Sequence, residues 1–383
     1  MRDCSRFKGC LLGGAVGDAL GYAVEFMSKS EIVCAYGPQG ITRYEPRAGK
    51  AQISDDTQMT LFTAVGLLYG RTRGGRRGIG APESEYIRLA YLDWLDTQTR
   101  ILPCQSERTR ISWLANLPAF YHRRAPGITC LSALESGGKG TIEKPINNSK
   151  GCGGVMRVAP IGLFFCDKAG WTKPEIDMLG AEAAAITHGH ELGYIPAAAL
   201  VHIVRSLASG EHGEILSAVR EAMAAVQTLF PDAEHMEHFQ TLMQRAIELS
   251  QEGTEPPDAF RSLGGGWVAE ETLAIAVYCA LKYPHDFEKA IVASVNHSGD
   301  SDSTGAVTGN ILGAALGLDA IPDFYLQDLE LRDVIEEIAE DLCTGCGTEA
   351  GSEEGDPAWV SKYIRVDYDE EKRKQCRRKQ TNE

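Results

Sequence analysis

The sequence predicts an all-α protein with a single domain, and three observations carry that prediction. Apolar residues recur at helical spacing almost without interruption from Glu175 to Cys343. Strand-like alternation of apolar and polar residues is scarce, and clusters such as Gly264-Gly265-Gly266 separate the helical segments. The 383 residues are near the upper limit for one hydrophobic core.

The first part of the chain carries three predicted helices and a long loop region. A tightly packed helix is predicted within Phe7–Phe26, ending near Gly21, because its many glycines indicate that another backbone or a ligand approaches closely. Helices are also predicted over 57–69 and from residue 84 to about residue 97, with a flexible loop over 74–80. Residues 123–154 show no sustained period, which predicts an ordered functional loop region.

The second part of the chain is predicted to be helical up to a packed terminal arm around Trp359 and Tyr363. The predicted helices cover residues 175–188, 193–209, 213–229, 233–251, 270–283, 286–296, 305–316 and 327–343. We therefore expect one domain over residues 1–366. Residues 367–383 are predicted to form a charged, disordered C-terminal tail.

Composition excludes some classes of protein. The net charge of −15 argues against general nucleic-acid binding, because contacts with phosphates require a basic surface. The eleven cysteines show no regular framework spacing, which favours a reducing cytoplasm, and Cys343 and Cys346 are interpreted as two incidental thiols. No long apolar segment follows the charged start of the chain, so neither a signal sequence nor a membrane span is expected there.

Two acidic runs are the main functional signal. Ser54-Asp55-Asp56-Thr57 precedes one predicted helix, and Asp300-Ser301-Asp302-Ser303-Thr304 precedes another. If the fold brings these carboxylates together, they repel one another unless cations neutralise them. Oxygen ligands suit Mg²⁺, Ca²⁺ or Mn²⁺, whereas zinc prefers His and Cys.

Two other interpretations of the acidic runs were weighed. The second run resembles the start of a calcium loop, but Thr304 and Ile311 occupy its fifth and twelfth positions, so an EF-hand is excluded. Taken singly, each run is also a common helix N-cap, since Ser, Thr and Asp oxygens accept the free N–H groups of a first turn. A cap needs only one oxygen, so two runs that each carry two aspartates favour cation binding.

Five motifs in the same order resemble the ADP-ribosylglycohydrolase family, over roughly residues 5 to 318. The motifs are Gly17-Asp18-Ala19-Leu20-Gly21 with Glu25, Ser54-Asp55-Asp56-Thr57, Gly151-Cys152-Gly153-Gly154 with the following Val155 to Pro160, Thr187-His188, and Gly299-Asp300-Ser301-Asp302-Ser303. The resemblance implies an orthogonal all-α bundle, two Mg²⁺ or Mn²⁺ ions, and hydrolysis of the bond between ADP-ribose and an acceptor such as an arginine or serine side chain.

The resemblance also implies roles for individual residues. The implied metal ligands are Ser54, Asp55, Asp56, Asp300, Asp302 and Ser303. The implied catalytic residues are Glu25, Asp56 and Asp302. The implied substrate-binding residues are Ser149, Gly151, Cys152, Gly153, Gly154 and His188. Three positions depart from the common pattern of the family: Ser303 replaces a threonine, Cys152 replaces an asparagine, and Lys150 replaces an aromatic residue.

Several assignments stay open at this level. Asp93 and Asp96 are weak candidates for a further acid, and Arg157 is expected to be a buried structural cation paired with a carboxylate. The expected partners are ADP-ribose and an ADP-ribosylated protein or small molecule, and the location is expected to be cytoplasmic. The alternatives are a non-catalytic ADP-ribose-binding or immunity protein that acts against a transferase, and a dinuclear metal hydrolase of phosphoesters.

Overall fold

The protein is built from helices around one hydrophobic core. The computed structural model describes residues 2–45, 49–102, 108–167, 170–211, 213–345 and 356–380, with side chains up to residue 376. Over these residues it contains eighteen α-helices and no β-strand, which confirms the all-α, single-domain prediction. The helices are α1 Cys4–Tyr22, α2 Lys29–Tyr36, α3 Asp55–Arg77, α4 Glu83–Thr99, α5 Ile128–Glu135, α6 Ala159–Phe164, α7 Lys173–Ala185, α8 Glu191–Ser209, α9 Ile215–Leu229, α10 Met236–Gln251, α11 Pro256–Leu263, α12 Ala269–Lys282, α13 Phe287–Val295, α14 Ser301–Leu316, α15 Asp323–Gln327, α16 Arg332–Thr344, α17 Pro357–Val360 and α18 Glu370–Gln380.

Most predicted helices are present, with different ends. Helix α3 continues through Gly74 and Gly75 of the predicted loop 74–80 and ends at Arg77, followed by Gly78 in the left-handed conformation of a C-cap. The predicted helix 327–343 is wrong at its start, because α15 ends at Gln327 and α16 begins at Arg332. The short helices α2, α5, α6 and α11 were not predicted, since eight residues or fewer carry little periodic signal.

Glycines let α1 and α14 pack with their backbones in contact. A Cβ atom on Gly13 would lie 2.5 Å from the carbonyl oxygen of Gly309, and a Cβ atom on Gly17 would lie 2.0 Å from that of Gly305. The same relation pairs Gly9 with Gly313 four residues earlier, so the two helices run antiparallel. The close approach predicted from the glycines is therefore between two helices. It brings the start of α14 beside the second half of α1.

The C-terminal segment is folded onto the domain. Tyr368 is buried, and Arg373 on α18 forms ion pairs at 3.2 Å with Asp333 and Glu337 of α16. The predicted disorder is therefore wrong for the described residues of 367–380, although residues 381–383 lie outside the described part. Local charge suggested a solvated tail, whereas the helix is held by carboxylates far away in the sequence.

One disulfide corrects the interpretation of the cysteines. Cys4 at the start of α1 is bonded to Cys343 near the end of α16, with their Cα atoms 5.5 Å apart. Cys343 is thus not an incidental thiol, and Cys346 lies outside the described residues. Helix α8 is long and apolar enough to cross a membrane, but 94% of that window is buried inside the protein.

Candidate active site

Asp18 joins the first helix to the first acidic run. Its carboxylate, buried inside α1, accepts hydrogen bonds from the backbone N–H of Ser54 at 2.9 and 3.1 Å. It also accepts the backbone N–H of Thr57 at 3.1 Å and the Thr57 hydroxyl. Burial and the nearby Asp302 raise the pKa of Asp18 to about 7. Sequence reasoning assigned Asp18 no role, although a lone acid within an apolar, glycine-rich helix was a usable signal.

Both acidic runs form helix N-caps. The Ser54 hydroxyl accepts the backbone N–H of Asp56 at 3.2 Å at the start of α3. The Asp300 carboxylate accepts the backbone N–H of Ser303 at 3.3 Å at the start of α14. The capping interpretation is therefore correct for each run. A cap needs one oxygen, so capping does not explain why each run buries a second carboxylate.

The fold brings the two runs together. Burial and then Asp302 raise the pKa of Asp55 and of Asp56 well above the usual range, and Asp302 also raises that of Asp300. The Ser54 hydroxyl, from the first run, lowers the pKa of Asp302, although burial raises it overall. We call Asp18, Glu25, Asp55, Asp56, Asp300 and Asp302 the carboxylate cluster.

Glu25 belongs to this cluster although it follows the end of α1. Burial and the charges of Asp302, Asp300, Asp55 and Asp18 raise its pKa to about 10. Its Oε2 atom is buried and has no hydrogen-bond partner, and the same holds for Oδ2 of Asp56. Unpartnered buried carboxylate oxygens are costly, so these two atoms indicate that the cluster is built for a positively charged ligand.

The donor set fits hard divalent cations in its chemistry. The six carboxylates and the hydroxyls of Ser54 and Ser303 offer only oxygen atoms. Over the described residues, no three His, Cys, Asp or Glu side chains are arranged as a ready metal site. Several of the oxygens accept protein hydrogen bonds instead: Asp18 from Ser54, Asp55 from the Gly127 N–H at 3.4 Å, and Asp300 from the Cys152 thiol at 2.8 Å.

The glycine loop lies against the second acidic run. Residues Cys152–Gly154 form a 3₁₀ turn, and Gly151 makes an isolated antiparallel bridge with Val268. Because the Cys152 thiol donates to Asp300, the loop is tied to the carboxylate cluster. The Ser149 hydroxyl accepts the Gly151 N–H at 3.4 Å. Of the predicted substrate-binding residues, Cys152 therefore contacts the cluster, and Ser149, Gly151, Gly153 and Gly154 lie next to it in the same loop.

His188 is buried behind the glycine loop. A Cβ atom on Gly153 would lie 2.9 Å from Cε1 of His188, which explains why glycine is needed there. The His188 Nδ1 atom is hydrogen-bonded to the Thr187 hydroxyl at 2.8 Å. Burial, and then the positive charge of Arg157, lower the pKa of His188 to about 3, so the ring is neutral. That His188 contacts the substrate directly stays a prediction. The contacts that His188 makes in the structure pack it against the glycine loop.

Two other positions singled out in the sequence, Arg157 and Lys150, have definite partners in the structure. Arg157 is buried as predicted, but its partners are the Thr187 hydroxyl at 2.7 Å, the Ala183 carbonyl at 3.1 Å and the face of Tyr91. The expectation that a carboxylate pairs with Arg157 is wrong, because no carboxylate of the described residues forms an ion pair with it. Lys150, at the position of the missing aromatic residue, pairs with the buried Glu270.

Asp93 and Asp96 lie outside the carboxylate cluster. Both are buried rather than on a solvated face, and Arg108 contacts both at 3.4 and 3.1 Å. Asp93 also accepts the backbone N–H groups of Ile111 and Ser112 at 2.8 and 2.9 Å. These contacts give both residues a structural role.

An exposed aromatic pair beside the site was missed from the sequence. Phe26 directly follows Glu25, and its ring stacks on that of Trp267 with the centroids 6.2 Å apart. The Trp267 carbonyl accepts the Cys152 N–H at 3.3 Å, so the pair is attached to the glycine loop. Phe26 is 75% exposed and Trp267 is 45% exposed, which is unusual for large aromatic side chains.

The fold and the site define an all-α protein with a buried carboxylate centre at the start of two helices. The family model described as ADP-ribosylglycohydrolase matches residues 1–351, and the chain belongs to that family.

Two curated relatives match most of the chain. One is the ADP-ribosyl-[dinitrogen reductase] glycohydrolase of Rhodospirillum rubrum, 27% identical over 335 residues, covering 85% of this chain and 91% of the relative. The other is ADP-ribosylhydrolase ARH3 of Mus musculus, 25% identical over 372 residues, covering 89% and 92%. Among solved structures, an ADP-ribosylglycohydrolase-related protein complex matches with a TM-score of 0.58 and 25% identity, covering 89% of this chain and 98% of that chain.

Proposed function

We propose that the protein uses two divalent cations, Mg²⁺ or Mn²⁺, to hydrolyse the bond between ADP-ribose and a modified acceptor. One observation carries the proposal. Six buried carboxylates form one cluster, and over the described residues no Lys or Arg forms an ion pair with any of them. Without protein cations, such a cluster is neutralised either by protons, as the raised pKa values show for the metal-free protein, or by cations from solution, and its oxygen-only donor set favours divalent cations.

The proposed ligands come from the two helix starts. Ser54, Asp55 and Asp56 would hold the cations from α3, and Asp300, Asp302 and Ser303 would hold them from α14. Such cations, when bound, supply positive charge that orients the ribose hydroxyls and favours loss of a proton from water.

The protein residues of the site have distinct proposed roles. Asp18 holds the start of α3 in place through the Ser54 and Thr57 N–H groups. Glu25 would offer the unpartnered Oε2 atom as the proton acceptor for the attacking water once bound cations offset the neighbouring negative charges that help raise its pKa. Asp56 and Asp302 would be the other catalytic residues, since burial and then the charge of Asp302, in the second run, raise the pKa of Asp56, in the first.

The glycine loop would bind the diphosphate of ADP-ribose. Exposed backbone N–H groups bind phosphate oxygens well where no side chain intervenes. Ser149 would add a hydroxyl at the start of this loop, and Gly153 and Gly154 would provide backbone N–H groups, whereas those of Gly151 and Cys152 already donate to Ser149 and to the Trp267 carbonyl. His188 and Thr187 hold the loop from behind.

The acceptor is proposed only as a class. It is an ADP-ribosylated protein or small molecule, and arginine, serine, a nucleobase and O-acetyl-ADP-ribose present the same ribose to the cluster. A cytoplasmic location also stays a proposal. The Cys4–Cys343 disulfide is an observation against it, since disulfides are typical of oxidising compartments.

The test is release of free ADP-ribose. The full-length protein is incubated with arginine-, serine- and nucleic-acid-linked ADP-ribose in Mg²⁺, Mn²⁺ or EDTA, and the products are measured by mass spectrometry. We expect metal-dependent release from at least one acceptor and at least a hundredfold loss in Asp302→Asn. The matched control is Asp96→Asn, a buried aspartate outside the cluster. Full activity in EDTA or in Asp302→Asn contradicts the proposal.

The non-catalytic alternative makes a different prediction. An ADP-ribose-binding or immunity protein would bind ADP-ribose in calorimetry and release none from any acceptor. The presence of all six carboxylates of the cluster favours the enzyme. Phosphate release from p-nitrophenyl phosphate would instead indicate a phosphoesterase.

A further inference from the structure

A group of arginines lies at the opposite end of α3 from the carboxylate cluster. The helix begins at Asp55 and ends at Arg77, so its two ends are about 33 Å apart at 1.5 Å per residue. Its last seven residues contain Arg71, Arg73, Arg76 and Arg77, in a chain whose net charge is −15. A run of like charges is usually a solvated helix face. The residues around these arginines show whether they could instead form a binding site.

Three of the arginines line a small cavity. Its volume is about 160 Å³, and it is lined by Tyr69, Arg73, Arg76, Arg77, Tyr363 and Ile364. Arg73 is half-buried and donates to the Tyr69 hydroxyl at 3.4 Å. Over the described residues, no carboxylate lies within 4 Å of the guanidinium of Arg73 or Arg77. Three arginines thus surround the cavity, and over the described residues no carboxylate neutralises the charge of Arg73 or Arg77.

A larger cavity adjoins the small one. Its volume is about 770 Å³, and Tyr69, Arg73 and Arg77 line both cavities. The rest of its lining is mainly apolar or aromatic and includes Ile79, Ala81, Tyr86, Leu89 and Ile111. This size is within the usual range of small-molecule sites.

Among the described residues that line the larger cavity, the one carboxylate is already engaged. Both oxygens of Glu85 accept hydrogen bonds from Arg88 at 2.7 Å, and these bonds lower the pKa of Glu85. Arg108, which also lines this cavity, is held by Asp93 and Asp96. Arg73 and Arg77 are therefore the lining cations available to a ligand.

We propose that the two joined cavities, the arginine pocket, bind an organic phosphate at a site separate from the carboxylate cluster. The phosphate group lies among Arg73, Arg76 and Arg77, because a guanidinium donates two parallel hydrogen bonds to phosphate oxygens. The aromatic or apolar body of the ligand lies in the larger cavity, against Tyr69 and Tyr86. A nucleoside monophosphate combines both features.

Calorimetry with a nucleotide tests this site. Uridine monophosphate is titrated into the full-length protein with Mg²⁺ and saturating ADP-ribose, which occupies the carboxylate cluster under the proposed function, on which this arm of the test rests. The variants are Arg73→Gln with Arg77→Gln, and the control is Arg71→Gln, an exposed arginine of the same helix that lines neither cavity. We expect one nucleotide per chain, at least tenfold weaker binding in the double variant, and less than a twofold change in the control. Uridine without phosphate binds at least tenfold more weakly.

Release of ADP-ribose by the double variant shows whether weaker nucleotide binding is a local effect or a result of misfolding. The double variant should release ADP-ribose at the wild-type rate, because both substitutions are at the far end of α3. Absence of saturable binding overturns the proposal, and so does equal weakening by Arg71→Gln, which indicates a diffuse basic surface. If ADP-ribose abolishes nucleotide binding and the double variant still binds the nucleotide, the nucleotide lies at the carboxylate cluster. That result also overturns the proposal.

Discussion

Asp18 of α1 holds the backbone N–H of Ser54, the residue that caps α3, at 2.9 and 3.1 Å. A single buried carboxylate thereby fixes the first acidic run relative to α1. Since α1 packs by its glycines against α14, it also fixes that run relative to the second. The close approach of two backbones and one buried hydrogen-bond acceptor thus determine the geometry of the carboxylate cluster.

Replacement of Asp18 should destabilise the protein. Asp18→Ala leaves the backbone N–H groups of Ser54 and Thr57 without their acceptor, and each unsatisfied buried donor costs about 1–3 kcal/mol. We expect the free energy of unfolding in urea to fall by about 2–4 kcal/mol. The exposed Asp319→Ala is the control. Equal stability of Asp18→Ala and wild type would show that this contact does not hold α3.

Replacement of Asp56 should have the opposite effect on the metal-free protein. Asp56→Asn removes one charge from a buried cluster of like charges, and Oδ2 of Asp56 has no hydrogen bond to lose. We expect a higher melting temperature in EDTA and a smaller rise on addition of Mn²⁺ than in the wild type. Asp96→Asn, which loses its contacts with Arg100 and Arg108, should lower the melting temperature. A lower metal-free melting temperature for Asp56→Asn would contradict the repulsion argument.

The contact between α1 and α14 should not tolerate a methyl group. A Cβ atom on Gly13 would lie 2.5 Å from the Gly309 carbonyl oxygen, so a backbone has to move. We expect Gly13→Ala to lower the free energy of unfolding by about 1–3 kcal/mol. Gly74→Ala is the matched control, because this helical glycine has no neighbour within 4 Å and alanine favours a helix by up to about 1 kcal/mol. The two urea midpoints should therefore shift in opposite directions.

His188 should make the protein less stable in acid. Its pKa is lowered to about 3 in the fold, so the unfolded chain binds the proton more tightly. The stability that the neutral ring contributes is complete above the unfolded pKa of about 6.5 and is lost at about 1.4 kcal/mol per pH unit below it. His188→Gln should flatten the decline between pH 6.5 and pH 4, measured by urea unfolding, relative to the exposed His285→Gln. Parallel pH profiles for both variants would mean that His188 does not stay neutral.

The fold class and the acidic runs could be predicted because their signals are local. The apolar residues of a helix recur at a fixed spacing along the chain, so the sequence itself shows the helix. Ser54-Asp55-Asp56 likewise carries a capping oxygen and an excess of negative charge within three positions. That the two runs meet does not follow from either run alone. The meeting of the two runs depends on glycines of α1 that lie directly against glycines of α14 in the folded protein.

The features that were missed depend on partners far away in the sequence. Cys4 and Cys343 are 339 positions apart, and α18 is held by Arg373 contacts with α16. The stacking of Phe26 on Trp267 likewise joins residues that no local pattern connects. Such pairings need a three-dimensional fold, because neither partner is unusual in its own segment.

Counting bound cations tests the central claim most directly. The full-length protein is dialysed against Mn²⁺, and the bound metal is counted per chain for the wild type, Asp302→Asn and the control Asp96→Asn. The account predicts two Mn²⁺ ions in the wild type and in Asp96→Asn, and fewer than one tightly bound ion in Asp302→Asn. No bound Mn²⁺ in the wild type, or the same number in all three proteins, would contradict it.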